Sequence, residues 1–254
     1  MKFPESFRCL IIGPSNCGKT HLLVELLLNE KYFVYDKMFI WSRSLHQPYY
    51  QLLNTCFNDC LPKKDTYQLF KNLLDIKLYA QETNKPLMDV VDELVQIIKA
   101  RDDFSSSHII CECNEDIIEL PDPKEIDISN NNLVIFDDLI DEKQSQLSKY
   151  FTRGRHNNIN TIYISQSYFH LPRKTIRNNS NFLILFKLPM KDVENIYQDL
   201  VSADMIIKEF KTLCQLAWSK PFGYLIIDLT KDRFLGKYRV GVDQFYLPES
   251  NPLS

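Results

Sequence analysis

Four apolar residues, Cys9-Leu-Ile-Ile12, run directly into Gly13-Pro-Ser-Asn-Cys-Gly-Lys-Thr20, and His21 to Leu28 follows as a strongly apolar helix candidate. A buried strand, a glycine turn and a helix in that order leave a chain few folds to choose from. The eight central residues fit G-x-x-x-x-G-K-[ST], the loop that wraps the phosphates of a nucleoside triphosphate. Backbone N–H groups and the helix dipole stabilise phosphate charge at such a turn. The glycines are needed where a Cβ would block close approach or an unusual backbone angle. Gly13, Pro14, Ser15, Asn16, Cys17, Gly18, Lys19, Thr20 and His21 are therefore the expected nucleotide-binding set. Lys19 is expected to reach the β- and γ-phosphates, and the Thr20 hydroxyl to ligate Mg²⁺.

A second signal strengthens the first. Leu133-Val-Ile-Phe136 is a continuous apolar run, as expected of a strand buried on both faces, and it ends in Asp137-Asp138. Paired with a P-loop, this is the Walker B pattern. Asp137 is expected on the metal side, through water, because Mg²⁺ holds its waters tightly. Asp138 is placed to orient or deprotonate the attacking water. Thr161-Ile-Tyr-Ile164 reads as a further core strand ending in Ser165-Gln166-Ser167. The Gln166 amide can contact the γ-phosphate or the lytic water, and this strand is expected between the P-loop and Walker B strands.

The rest of the chain reads as alternating strands and helices. Met38 to Trp41, His108 to Cys113, Phe182 to Phe186, Tyr224 to Leu229 and Tyr238 to Val240 have strand character; the last two suggest a hairpin with Gly236 in its turn region. Tyr49 to Phe57, Lys143 to Phe151 and Asp192 to Phe210 read as helical. Asp65 can cap a helix from Thr66 whose one face carries Tyr67, Phe70, Leu73, Leu74 and Leu78. A second amphipathic helix spans about Leu87 to Lys99. These stripes pack on the core or form a subunit-contact arm. More than a hundred residues separate Thr20 from Asp137, long for two strands of one nucleotide site. The reading is an α/β fold with three layers and a mostly parallel sheet, one P-loop domain over 1–254, a helical insertion at about 60–130 and a C-terminal β-hairpin.

A formal net charge of −3 across 254 residues does not advertise nucleic-acid binding, so any such contact must be local or built by oligomerisation. No apolar run is long enough to span a membrane, and the first residues lack a signal-peptide core. Seven scattered cysteines fit a reduced, intracellular compartment. Cys56/Cys60 and Cys111/Cys113 lack zinc-ribbon spacing and are expected to be free thiols rather than metal ligands.

The run Phe151-Thr-Arg-Gly-Arg-His-Asn-Asn-Ile-Asn-Thr-Ile-Tyr-Ile-Ser-Gln-Ser-Tyr-Phe169 resembles poxvirus-type genome-packaging ATPases and their relatives in Polinton (Maverick) elements, giant viruses and virophages. Ser44-Leu-His-Gln-Pro-Tyr-Tyr-Gln51, Lys174-Thr-Ile-Arg-Asn-Asn179 and Phe136-Asp-Asp-Leu139 match as well, and the resemblance covers roughly residues 8–240. These proteins belong to the FtsK–HerA superfamily of DNA-pumping ATPases. The resemblance implies an enzyme hydrolysing ATP with Mg²⁺, working as a homo-oligomeric ring (pentamer or hexamer) that drives double-stranded DNA into a capsid. Its partners would be DNA, further copies of itself and a capsid or portal-vertex protein. Its place would be the virus factory or nucleus of an infected cell, or the virion. Lys19, Thr20, Asp137, Asp138 and Gln166 inherit the nucleotide, metal, acid and sensor roles. Many relatives carry Glu where Asp138 stands; the shorter side chain sits farther from the water. Arg153 and Arg155, with Arg177 in reserve, are candidates for an arginine acting on a neighbour's site. Arg173, Lys174 and Arg177 could instead track the DNA backbone. The alternatives are a P-loop DNA helicase or repair translocase, and a nucleotide-dependent scaffold without sustained hydrolysis.

Overall fold

The apolar runs become strands buried on both faces, because each alternates its side chains between two separate cores. The computed structural model describes residues 3–249. In chain order it places β1 (Arg8–Ile12), α1 (Lys19–Leu28), β2 (Lys37–Ser42), α2 (Pro48–Asn58), α3 (Lys63–Lys71), α4 (Leu73–Glu82), α5 (Leu87–Lys99) and β3 (Ile110–Asn114). Then follow β4 (Asn132–Asp137), α6 (Gln144–Arg153), β5 (Ile159–Ser165), β6 (Phe182–Leu185), α7 (Met190–Ile196), α8 (Ile207–Ala217), β7 (Leu225–Asp228), β8 (Tyr238–Val240) and β9 (Gln244–Tyr246). One sheet holds all nine strands in the order β3-β2-β4-β5-β1-β6-β7-β8-β9. The six from β3 to β6 run parallel, and β7, β8 and β9 continue antiparallel.

Cys9 and Ile11 of β1, Leu133 and Ile135 of β4, and Ile162 and Ile164 of β5 face one core, covered by α1, α2, α3 and α5. Leu10, Ile12, Val134, Phe136 and Tyr163 face the other, covered by α6, α7 and α8. Period-two alternation with apolar residues on both sides is what a covered parallel sheet demands. The result is the α/β, three-layer, mostly parallel arrangement expected, with β5 between β4 and β1.

Register then builds the site. Ile12 pairs with Ser165, and Asp137 pairs with both Ile164 and Ser42. The chain therefore leaves β1, β4, β5 and β2 at one common edge, within about one residue of each other.

Several expectations change. The helix thought to begin at Thr66 starts at Lys63 behind Pro62, and Asp65 lies in its first turn, bonded to Arg101 at 2.8 Å instead of capping. The stripe from Tyr67 to Leu78 is not one face. Asn72 ends α3 and opens α4, and the change of phase leaves Leu74 and Leu78 exposed while Leu73, Ile76 and Ala80 are buried. The segment 60–130 is helical over α3 to α5, but β3 returns to the main sheet as its edge beside β2. The 192–210 region divides into α7, a π-helical turn over Tyr197–Val201, and α8. β7 and β8 pair as the expected C-terminal hairpin, and β9, unread in the sequence, extends it. The seven cysteines are free thiols; Cys111 and Cys113 sit with sulfurs 3.8 Å apart on β3. Among the described residues no helix is long and apolar enough to cross a membrane.

Candidate active site

The loop between β1 and α1 has the conformation its glycines suggested. A Cβ on Gly13 would lie 2.6 Å from the Cys17 sulfur and 2.7 Å from the Phe186 Cβ, so nothing larger fits. Gly18 has φ +98°, a backbone that L side chains rarely adopt. The Gly13 N–H donates to the Ser165 carbonyl at 3.1 Å, tying the loop to the end of β5. No side chain caps α1 at Gly18, and its first turn carries no acid, which leaves the amide end of the helix to an anion. Lys19 folds back: its ammonium donates to the carbonyls of Gly13 (2.8 Å) and Pro14 (2.7 Å). Cys17 is half-buried, and burial raises its thiol pKa, which suits a packing role.

Asp137 ends β4 and is only 7% exposed. Burial pushes its carboxyl up to about 6; a hydrogen bond from Tyr50 works in the opposite direction, and Asp138 adds to the rise. The Tyr50 hydroxyl donates to Asp137 Oδ2 at 2.6 Å, and the Thr20 hydroxyl reaches the same phenol. Tyr50, fully buried in α2, thus joins the two expected metal-side residues. Its own pKa rises well above the usual value, through burial first and the adjacent carboxylate second. Asp138 follows in a left-handed conformation (φ +57°) with its side chain exposed. That twist turns it away from the strand, to where Gln166 Nε2 approaches Asp138 Oδ1 at 3.5 Å. Gln166 is exposed at the end of β5, and the chain after it is held by buried Asp192. That carboxylate accepts from the Phe169 N–H (3.0 Å), the Tyr168 N–H (3.3 Å) and the Ser167 hydroxyl (3.4 Å).

One cavity of about 660 Å³ takes in Lys19, Thr20, Asp137, Asp138 and Gln166. His21 also lines it, its ring against Phe70 (4.9 Å between centroids) and Tyr49 (5.9 Å). Anion seat, ammonium, hydroxyl, two carboxylates and an amide in one concavity are the parts needed to hold a triphosphate and direct water at its terminal phosphorus. An oxygen-only set with one buried carboxylate and one hydroxyl suits Mg²⁺ held jointly with phosphates; among the described residues no three His, Cys, Asp or Glu side chains cluster to hold a metal alone.

The arginines lie elsewhere. Arg153 and Arg155 close α6 and the short turn before β5, at the edge where the strands begin. The seven-residue β5 separates them from Gln166 by roughly 20 Å. They cannot serve the site of their own chain. Arg177, the reserve finger and possible DNA contact, is 8% exposed, paired with Asp199 at 3.1 Å, and laid over the Tyr168 ring at 4.9 Å. Arg173 shares Asp199 at 2.8 Å from an exposed position, and Lys174 is exposed. Tyr50 and Asp192 were missed in the sequence. Tyr50 lies within the 44–51 stretch that carried part of the resemblance, which is the only signal it had. Asp192 had none.

A family model described as Poxvirus A32 protein matches residues 92–229. That span begins inside α5 and includes Asp137, Asp138 and Gln166, but not the P-loop, whose evidence is independent. Among solved structures, B204, the DNA-packaging ATPase from Sulfolobus turreted icosahedral virus, is 13% identical over 89% of this chain and 94% of its own, with a TM-score of 0.50. VirB4 of Thermoanaerobacter pseudethanolicus is 13% identical over 97% of this chain and 90% of its own, at 0.49. The genome packaging NTPase B204 from Sulfolobus turreted icosahedral virus 2, in complex with AMPPCP, is 12% identical over 90% and 95%, at 0.48. At such identities the likeness to the first is one of fold. No curated protein sequence matches the chain.

Proposed function

The chain belongs to the poxvirus A32 protein family, and on that premise we propose that it is an ATPase that drives double-stranded DNA into a preformed capsid as a homo-oligomeric ring. The observation that carries the reading is the convergence of Lys19, Thr20, Asp137, Asp138 and Gln166, from three distant segments, on one cavity. B204, which shares the fold, is a DNA-packaging ATPase.

In this reading the amide end of α1 receives the phosphates, and the Lys19 ammonium leaves its two carbonyl partners for the β- and γ-oxygens. Thr20 and Asp137 would hold Mg²⁺, which neutralises charge gathering on the phosphates. Gln166 and Asp138 orient a water in line with the γ-phosphorus, and Asp138 takes its proton as the bond to the leaving oxygen breaks. ATP and water leave as ADP and phosphate. Arg153 and Arg155, lying far from their own site, suit a role on a neighbour's, where an arginine in trans is worth about 10³–10⁵ in rate in well-known cases. Arg173 and Lys174 are the residues left to meet DNA, and with a net charge of −3 the basic groups must collect at the pore. A capsid or portal-vertex protein in an infected cell would be the docking partner.

Phosphate release should rise on adding blunt duplex DNA, and a forked substrate should not be unwound. A flat response to duplex overturns the motor reading and favours a nucleotide-dependent scaffold; unwinding of the fork favours a helicase. Tyr50 supplies a further check. Tyr50→Phe leaves a buried carboxylate oxygen without its donor, and a lost buried hydrogen bond of this kind costs about 1–3 kcal/mol. Affinity for ATP with Mg²⁺ is expected to fall about tenfold, while ATP binding in chelator stays unchanged; equal losses in both would refute the metal-side role.

A further inference from the structure

The nucleotide cavity has two chemically different flanks. β1 lies between β5 and β6 in the sheet. On the β5 side the lining is Asp137, Asp138 and Gln166; on the β6 side it is Phe186, Phe222 and Tyr224. A triphosphate laid along the loop with its γ end toward the acids directs its nucleoside toward the aromatic flank. β7 runs antiparallel to β6, so the turn entering it, Lys220-Pro-Phe-Gly223, opens on the same edge as the loops leaving the parallel strands.

Phe222 is the unusual residue there. The residue is 69% exposed, and its backbone has φ +59°. The Gly223 N–H closes the turn on the Lys220 carbonyl at 3.0 Å, with Pro221 second and Phe222 third. A positive φ at that third position is ordinarily given to Gly or Asn. The glycine of this turn stands one place later and cannot move, since a Cβ on Gly223 would lie 2.2 Å from the Ala217 carbonyl oxygen. A large apolar ring is thus held open to solvent on an unfavourable backbone, inside a ligand cavity. Such an outlier points to a contact made only with the ligand. The surroundings supply a rigid seat: Phe186 and Tyr224 pack with centroids 5.5 Å apart, and Phe222 Cδ1 lies 3.2 Å from where a Cβ on Gly18 would be.

We propose that Phe222 stacks on the base of the bound nucleoside triphosphate, an inference that rests on the ATPase reading above. Stacking tolerates any base, since each has a π-face, which accords with a site that has no N-K-x-D base-reading motif.

The test compares ATP with inorganic tripolyphosphate, both with Mg²⁺, by calorimetric titration of the full chain. Phe222→Gly removes the ring and relieves the turn, so the thermal midpoint should hold or rise. ATP should bind about tenfold more weakly, tripolyphosphate should bind as in wild type, and Phe222→Tyr should restore ATP. Unchanged ATP affinity in the glycine variant overturns the proposal. So does an equal loss for both ligands, which would make the ring a support for the P-loop. A wild-type chain that binds neither ligand defeats the ATPase reading itself, a result distinct from either of these.

Discussion

Replacing Lys19 by Ala is expected to lower ATP hydrolysis about 10³-fold or more, while the fold survives. The ammonium sits at the mouth of the loop, bonded at 2.8 and 2.7 Å to the Gly13 and Pro14 carbonyls. Those two bonds shape the loop around the space a phosphate would fill. With ATP present, the same charge would lie against the oxygens where negative charge builds up, inside a cavity where electrostatic effects exceed those in water. Its loss from the folded chain costs only loop hydrogen bonds, about 1–2 kcal/mol of unfolding free energy. Phosphate release at saturating ATP and Mg²⁺, beside a thermal unfolding curve, separates the two effects. Wild-type activity in Lys19→Ala would exclude the P-loop as the catalytic site.

Asp137→Asn should act in opposite directions on activity and stability. The Asp137 carboxyl is buried and titrates at about 6, above its ordinary 3.8. Between those values the folded chain holds a proton that the unfolded chain has released, so unfolding free energy falls as pH rises. Above pH 6 the whole cost of the buried charge remains, about 3 kcal/mol. An Asn amide oxygen can still accept from Tyr50, and no charge is buried. Without nucleotide, the Asn variant should therefore be more stable than wild type at pH 7.5, by up to about 3 kcal/mol, and should lack the decline between pH 4 and 6. Hydrolysis should fall by about 10²–10³, because the amide cannot balance a divalent cation. Denaturant melts across pH, set beside ATPase rates, test both halves. An Asn variant less stable than wild type at pH 7.5 would show that the carboxylate is stabilised by contacts beyond Tyr50. A site that lowers the stability of its own empty state is a common cost of activity.

Much of this site was legible because its parts are local. Gly13 to Thr20 carries its own conformation in its glycines and its neighbours in the chain, and Asp137, Asp138 and Gln166 mark the ends of apolar runs. A strand that ends in polar residues says where its edge lies. Tyr50 was not legible. Its role depends on α2 crossing the sheet so that a phenol meets a carboxylate 87 positions away. Arg177 looked like any basic residue in a basic stretch until Asp199, 22 positions on, was found to hold it. Phe222 was silent for the same reason: only the antiparallel turn of β7 against β6 brings it to the P-loop.

The helical stripes make the same division from the other side. The spacing over Leu87 to Lys99 was enough to name a helix, and α5 matches it. The same spacing over Tyr67 to Leu78 ran through a break at Asn72, and two of its five apolar residues face solvent. Chain-local signals specify eight of the nine strands, the glycine turn, the acids at the strand ends and, through them, the class of fold. Long-range packing settles which apolar residues are covered, that Arg177 is paired with Asp199 and that Tyr50 is bonded to Asp137. The physical reason is range. Backbone conformation and period are set by neighbours a few residues away, whereas burial and pairing are set by whatever the fold brings alongside from elsewhere in the chain.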